Sequence, residues 1–177
     1  DQDGANVKFL TDGKHIVLKP MFSPNSDSIL YTSYKSGVPR VYRKDLKTGL
    51  ETTFRTLPGM TFSPRFSPDG QNMLLSITDK MNTDIYKVSL INGSKTRLTR
   101  DRAIDTAPSF SPNGAKVVFE SDRSSTQQLY VMNSNGSAIK RITFGKGRYA
   151  EPAWSPRGDL IAFTKMVDGF FFIGVIK

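Results

Sequence analysis

Short apolar runs separated by polar turns recur along the chain at one interval. Ile29-Leu30-Tyr31, Met73-Leu74-Leu75, Val117-Val118-Phe119 and Ile161-Ala162-Phe163 stand 44 residues apart. A second series follows the same spacing: Val41-Tyr42-Arg43, Ile85-Tyr86-Lys87, Leu129-Tyr130-Val131 and Ile173-Gly174-Val175. A third is centred on Leu10, Phe54, Leu98 and Ile142. The runs are rich in β-branched and aromatic residues and too short for helices of 3.6-residue period, so they read as strands. With the residues ahead of each repeated proline counted as an inner strand, every repeat holds four antiparallel strands. A fixed period of this size, four strands to the repeat, predicts an all-β fold: a β-propeller of about four four-stranded blades, one domain over residues 1–177.

The turns carry the same period. Phe22-Ser23-Pro24-Asn25, Phe66-Ser67-Pro68-Asp69-Gly70, Phe110-Ser111-Pro112-Asn113-Gly114 and Trp154-Ser155-Pro156-Arg157-Gly158 place proline where a turn wants φ near −65° and glycine where a left-handed residue is cheap. Asn92-Gly93, Asn135-Gly136 and Lys47-Thr48-Gly49 mark hairpins between the second and third runs. The links from 33 to 39, 77 to 83 and 121 to 127 read as looser and polar. By phase, the chain opens with an outermost strand at Val7 to Thr11 and ends within a third strand at Phe172 to Lys177. The first strand is thereby expected to complete the last blade and close the ring, removing a bare edge.

Composition narrows the classes. Hydrophobic content of 37% with 23% charged residues suits a folded globular chain rather than a disordered one. No apolar run approaches the roughly 20 residues that span a bilayer as a helix. Neither an initiator Met nor a leader stands at Asp1-Gln2-Asp3-Gly4, which reads as a processed or truncated piece. With no cysteine, disulfides and thiol chemistry are excluded. The formal charge is +9, but its lysines and arginines are spread over every repeat; a solvated basic surface is expected rather than nucleic-acid recognition.

The Phe-Ser-Pro-Asp-Gly turn with its following apolar and tyrosine-bearing strands resembles the TolB family. Leu129-Tyr130-Val131-Met132-Asn133, Lys140-Arg141-Ile142-Thr143 and Glu151-Pro152-Ala153-Trp154-Ser155-Pro156 are similar to that family too, and the likeness runs from end to end. The bare repeat also occurs in propellers of prolyl-oligopeptidase-like enzymes. The resemblance implies a periplasmic, non-enzymatic protein of the Tol–Pal envelope system. Its propeller would dock the peptidoglycan-associated lipoprotein Pal and other Tol proteins over one mouth of the central channel, supporting outer-membrane integrity and cell division. It would meet the membrane only through those partners. The family has an α/β domain ahead of a six-bladed propeller; nothing here corresponds to that domain, and about four blades are present. Such a chain closes as four blades, stays open, or pairs as a homodimer.

Recognition in a propeller is expected in the loops that lead into each inner strand. Here they run 12–19, 56–63, 100–107 and 144–151, the least repetitive parts of the repeat. Candidate partner contacts are His15, Met60, Thr61, Asp105, Thr106, Arg148, Tyr149 and Glu151. Each has a plainer reading: His15 as an ordinary loop residue, Met60 as a cap on the core, Tyr149 as packing under a loop. A serine hydrolase needs a nucleophile, a base and an orienting acid; one histidine and no Gly-x-Ser-x-Gly motif do not supply them. Asp105 and Glu151 could attract a hard cation such as Ca²⁺ at the channel mouth, but no consecutive ligand pattern supports it, and no cofactor is expected. The alternative to a binding scaffold is the propeller of a hydrolase or lyase separated from its catalytic part.

Overall fold

The computed structural model describes residues 5–177; the first four lie outside the described residues. Every regular element is a β-strand. The first blade comprises β1 (Val17–Phe22), β2 (Ser28–Ser33), β3 (Arg40–Asp45) and β4 (Glu51–Thr53). The second holds β5 (Met60–Phe66), β6 (Asn72–Asp79), β7 (Asn82–Ser89) and β8 (Lys95–Arg97). The third holds β9 (Asp105–Phe110), β10 (Lys116–Ser121), β11 (Gln128–Asn133) and β12 (Lys140–Arg141). The fourth has β13 (Arg148–Trp154), β14 (Ile161–Val167) and β15 (Phe170–Ile176). In each sheet neighbours in sequence are neighbours in space, and all pairings are antiparallel. The fold is a four-bladed β-propeller.

The side-chain alternation of a strand explains how the blades stack. In β6, Met73 and Leu75 face the first blade, where they join Leu30 and Val41, while Leu74 between them faces the third blade with Val117, Phe119 and Met132. In β10, Val118 turns the other way and meets Leu129, Tyr149 and Ile161 of the next interface. Central strands buried on both faces read as continuous apolar runs, because each face belongs to a different interface. Burying these side chains between blades is the main stabilising term, about 1.5–3 kcal/mol for each large one.

The Ser-Pro turns stitch the inner ends together. Ser67 N–H donates to Asn72 O at 2.8 Å, and Gly70 N–H returns to Ser67 O at 2.9 Å. Gly70 has φ +69°, and a Cβ there would touch Pro24 of the preceding blade at 3.5 Å; Gly114 meets Pro68, and Gly158 meets Pro112, in the same way. Each inner strand also carries a bulge where its register shifts. The residue before the proline of each inner strand is left-handed: Lys19 (φ 57°), Ser63 (52°), Ala107 (47°) and Glu151 (52°). None is glycine, so the bulge is held by its surroundings rather than by local preference.

Two expectations are corrected. Residues 7–11 form no strand and do not complete the last blade, which has three strands. The segment lies on the first blade instead. Leu10 packs against Ile29, Tyr31 and Tyr42, and its carbonyl accepts Lys44 Nζ at 2.7 Å. Contacts with the blade nearest in sequence avoid the larger loop-closure cost of reaching the fourth. The link at 77–83 is not loose either: β6 and β7 run on to pair Asp79 with Asn82.

Candidate functional site

The loops ahead of the inner strands converge at one end of the axis, and the 44-residue period sorts the candidate residues by height. Thr61, Asp105 and Tyr149 occupy one repeat position, the second residue of β5 and β13 and the first of β9. All three are buried, with 2%, 0% and 7% of their surface exposed. Thr61 N–H donates to Pro39 O at 3.0 Å, and its hydroxyl accepts Val41 N–H at 2.8 Å. Tyr149 N–H donates likewise to Gln127 O at 3.0 Å, and its ring packs on Phe163 at 5.3 Å between centroids. These residues join a blade to the one before it. They do not present a surface.

Asp105 is held by charge within its own blade. Both its oxygens take Arg123 Nη2, at 3.0 and 2.9 Å, and Arg123 also pairs with Asp101 at 3.0 Å. The guanidinium lies over Phe119 and Tyr130, 5.4 and 4.9 Å from their centroids. Burial pushes the Asp105 carboxyl above the ordinary aspartate value, against the pull of Ser121, Thr99 and Arg123.

The exposed candidates lie one residue earlier or two later. Met60 and Arg148 start β5 and β13, and Ile104 holds the equivalent place before β9. Ile104, Thr106, Gln127 and Arg148 line a cavity of about 310 Å³ between the third and fourth blades, with Asp122 and Ser125 on its rim. Arg148 is exposed and pairs with no carboxylate among the described residues. Glu151, at the bulge of β13, pairs with Lys19 at the bulge of β1, bridging the first and fourth blades. Its N–H donates to Glu120 Oε1 at 2.5 Å. Glu120 also accepts the Thr106 hydroxyl at 3.1 Å and Gln127 Nε2. Burial raises the Glu120 carboxyl above its ordinary value, against the pull of the Glu151 N–H, while the Glu151 charge pushes the same way as burial. Thr106 and Glu151 are thus brought together around Glu120, and Arg148 lines the cavity beside Thr106. His15 stands apart with Lys35 and Glu51 on the outer face of the first blade. The carboxylates of Asp105 and Glu151 each have their own cation, and among the described residues no cluster of three or more acidic, histidine or cysteine side chains could hold a metal.

Ile104, Lys19 and Glu120 were not among the sequence candidates, yet the period contains their signal. Ile104 aligns with Met60 and Arg148. Lys19 aligns with Glu151. Glu120 falls where the other blades carry Thr32, Ser76 and Thr164, a carboxylate among hydroxyls in a buried strand.

The profile of the TolB beta propeller domain matches residues 1–177. The chain belongs to that family. The Tol-Pal system protein TolB of Paramagnetospirillum magneticum is 55% identical over 62 residues, 35% of this chain and 14% of that protein. The crystal structure of TolB from Acinetobacter baumannii superposes with a TM-score of 0.88 at 31% identity, over 99% of this chain and 44% of that one. The chain therefore spans less than half the length of each of these two TolB proteins. A puromycin-hydrolyzing peptidase of Mycobacterium tuberculosis gives a TM-score of 0.70 at 13% identity over 92% of this chain and 30% of that one, a likeness of fold alone.

Proposed function

We propose that this TolB-type propeller is a non-catalytic docking scaffold of a Tol–Pal system. It acts in the periplasm and presents the mouth lined by Ile104, Thr106, Arg148 and Glu151 to the lipoprotein Pal. The observation that carries the reading is the pairing of an exposed apolar residue, Ile104, with an ion-pair-free arginine, Arg148, over one concavity. An arginine beside apolar surface is the composition of an interface anchor. The scaffold beneath it is rigid, since Thr61 and Tyr149 lock their inner strands to the preceding blades. Against chemistry stands the lone histidine, which is exposed and makes no hydrogen bond to a serine among the described residues. Calorimetric titration of purified Pal into this chain tests the proposal. Saturable binding supports it; no binding, where a full-length TolB binds in parallel, overturns it.

A further inference from the structure

The other end of the axis holds a second cavity. There the four Ser-Pro turns converge around about 310 Å³ of space walled by Met21, Phe66, Phe110 and Trp154. The residue after the first proline of each turn is Met21, Arg65, Ser109 and Ala153 in the four blades, so a single cation enters an otherwise neutral ring. Arg65 is half-buried, and its one hydrogen bond goes from Nη1 to Pro64 O at 2.9 Å. It forms no ion pair among the described residues, and burial lowers its pKa while the Glu151 charge pulls the other way. Trp154 lines the same cavity, and its indole N–H is buried without an acceptor.

We propose that this cavity binds a carboxylate carried on an apolar body, with Arg65 as the charged donor. A guanidinium fork with free N–H groups matches the two oxygens of a carboxylate. The aromatic and proline walls suit an apolar remainder, and disfavour a doubly charged, strongly hydrated phosphate. The volume lies at the lower end of ligand pockets, which admits one side chain or one small acid. Two sources share this chemistry: a free alkyl or aryl carboxylic acid, and the C-terminus of a peptide ending in an apolar residue. The site lies at the turn end of the inner strands, away from Arg148, and stands whether or not Pal docks at the opposite mouth.

Trp154 is the sole tryptophan, so its emission reports on this site directly. Phenylacetate, phenylacetamide, inorganic phosphate and a Gly-Gly-Phe peptide, as free acid and as amide, are titrated against the chain. A saturable change with the acids and not the amides is expected, weakened about tenfold or more in Arg65→Met and less in Arg65→Lys, since a charged hydrogen bond is lost. Arg148→Met leaves it unchanged. Tighter binding of the peptide acid than of phenylacetate identifies a chain terminus as the source, and the reverse order a free acid. Equal response to acid and amide, no saturable response, phosphate competing as well as phenylacetate, or undiminished binding in a folded Arg65→Met chain would each overturn the assignment.

Discussion

The hydroxyl of Thr61 accepts the backbone N–H of Val41 at 2.8 Å, across the boundary between the first two blades. In the second and third blades the matching N–H groups, of Ile85 and Leu129, reach Thr99 and Thr143 within their own blade. The residue 44 before Thr99 is Arg55, so the first blade borrows its hydroxyl from the next. Thr61→Val keeps the shape and strands the Val41 donor. A loss of about 1–3 kcal/mol is expected in urea unfolding, with Pal binding by the folded protein unchanged.

Among the described residues Arg123 is the sole cation on buried Asp105. Arg123→Met leaves that carboxylate without its counter-ion and should cost about 3–5 kcal/mol at neutral pH. The loss should shrink on acidification, since a protonated Asp105 needs no cation. Denaturation at the two pH values checks both statements; a loss independent of pH would refute the second.

Glu120 gives a sign that can be read alone. Its folded pKa lies above the ordinary 4.5, so the unfolded chain ionises first as pH rises. The group's stabilising contribution is then whole below 4.5 and is lost as pH climbs through the raised value. Relative to Glu120→Gln, the wild type should gain stability as pH falls from neutral towards 4.5. Asp45 and Asp69, whose pKa values are lowered by local hydrogen bonds, behave oppositely but cancel in the difference.

Gly147 precedes Arg148 at φ +91°, and a Cβ there would stand 2.4 Å from Met166 O. Gly147→Ala must move backbone, so about 1–3 kcal/mol of strain is expected. Because the displaced strand carries Arg148, binding to Pal should weaken along with stability, measured by calorimetry beside a melting curve.

Arg148→Glu and Ile104→Asp change exposed side chains at the docking mouth and should leave stability within about 0.5 kcal/mol. Each is expected to weaken Pal by about tenfold or more, as truncated interface anchors do. His15→Ala, on the outer face of the first blade, should change neither.

The propeller was legible because its turns and strands repeat faithfully; Pro68 and Leu74 alone place a blade. The N-terminal segment was misplaced because Leu10 obeys the period while its contacts, to Tyr31 and Lys44, do not. The candidate site was half legible. Variability among Thr61, Asp105 and Tyr149 resembled a surface adapted to a partner. It arises instead because each buried position is filled with different chemistry: a hydroxyl that reaches the preceding blade, and an ion pair and an aromatic contact within their own blades. Sequence variation alone does not separate a joint from a mouth, since both escape the demands that keep the turns uniform.

The contacts of Gly70 on Pro24, Gly114 on Pro68 and Gly158 on Pro112 have a direction: each turn rests on its predecessor. A blade leaving the ribosome therefore finds its seat already made by the blade synthesised before it. Such an array is expected to assemble vectorially, lengthening one step at a time from the N-terminal end, with a nascent chain never holding more than one unseated blade.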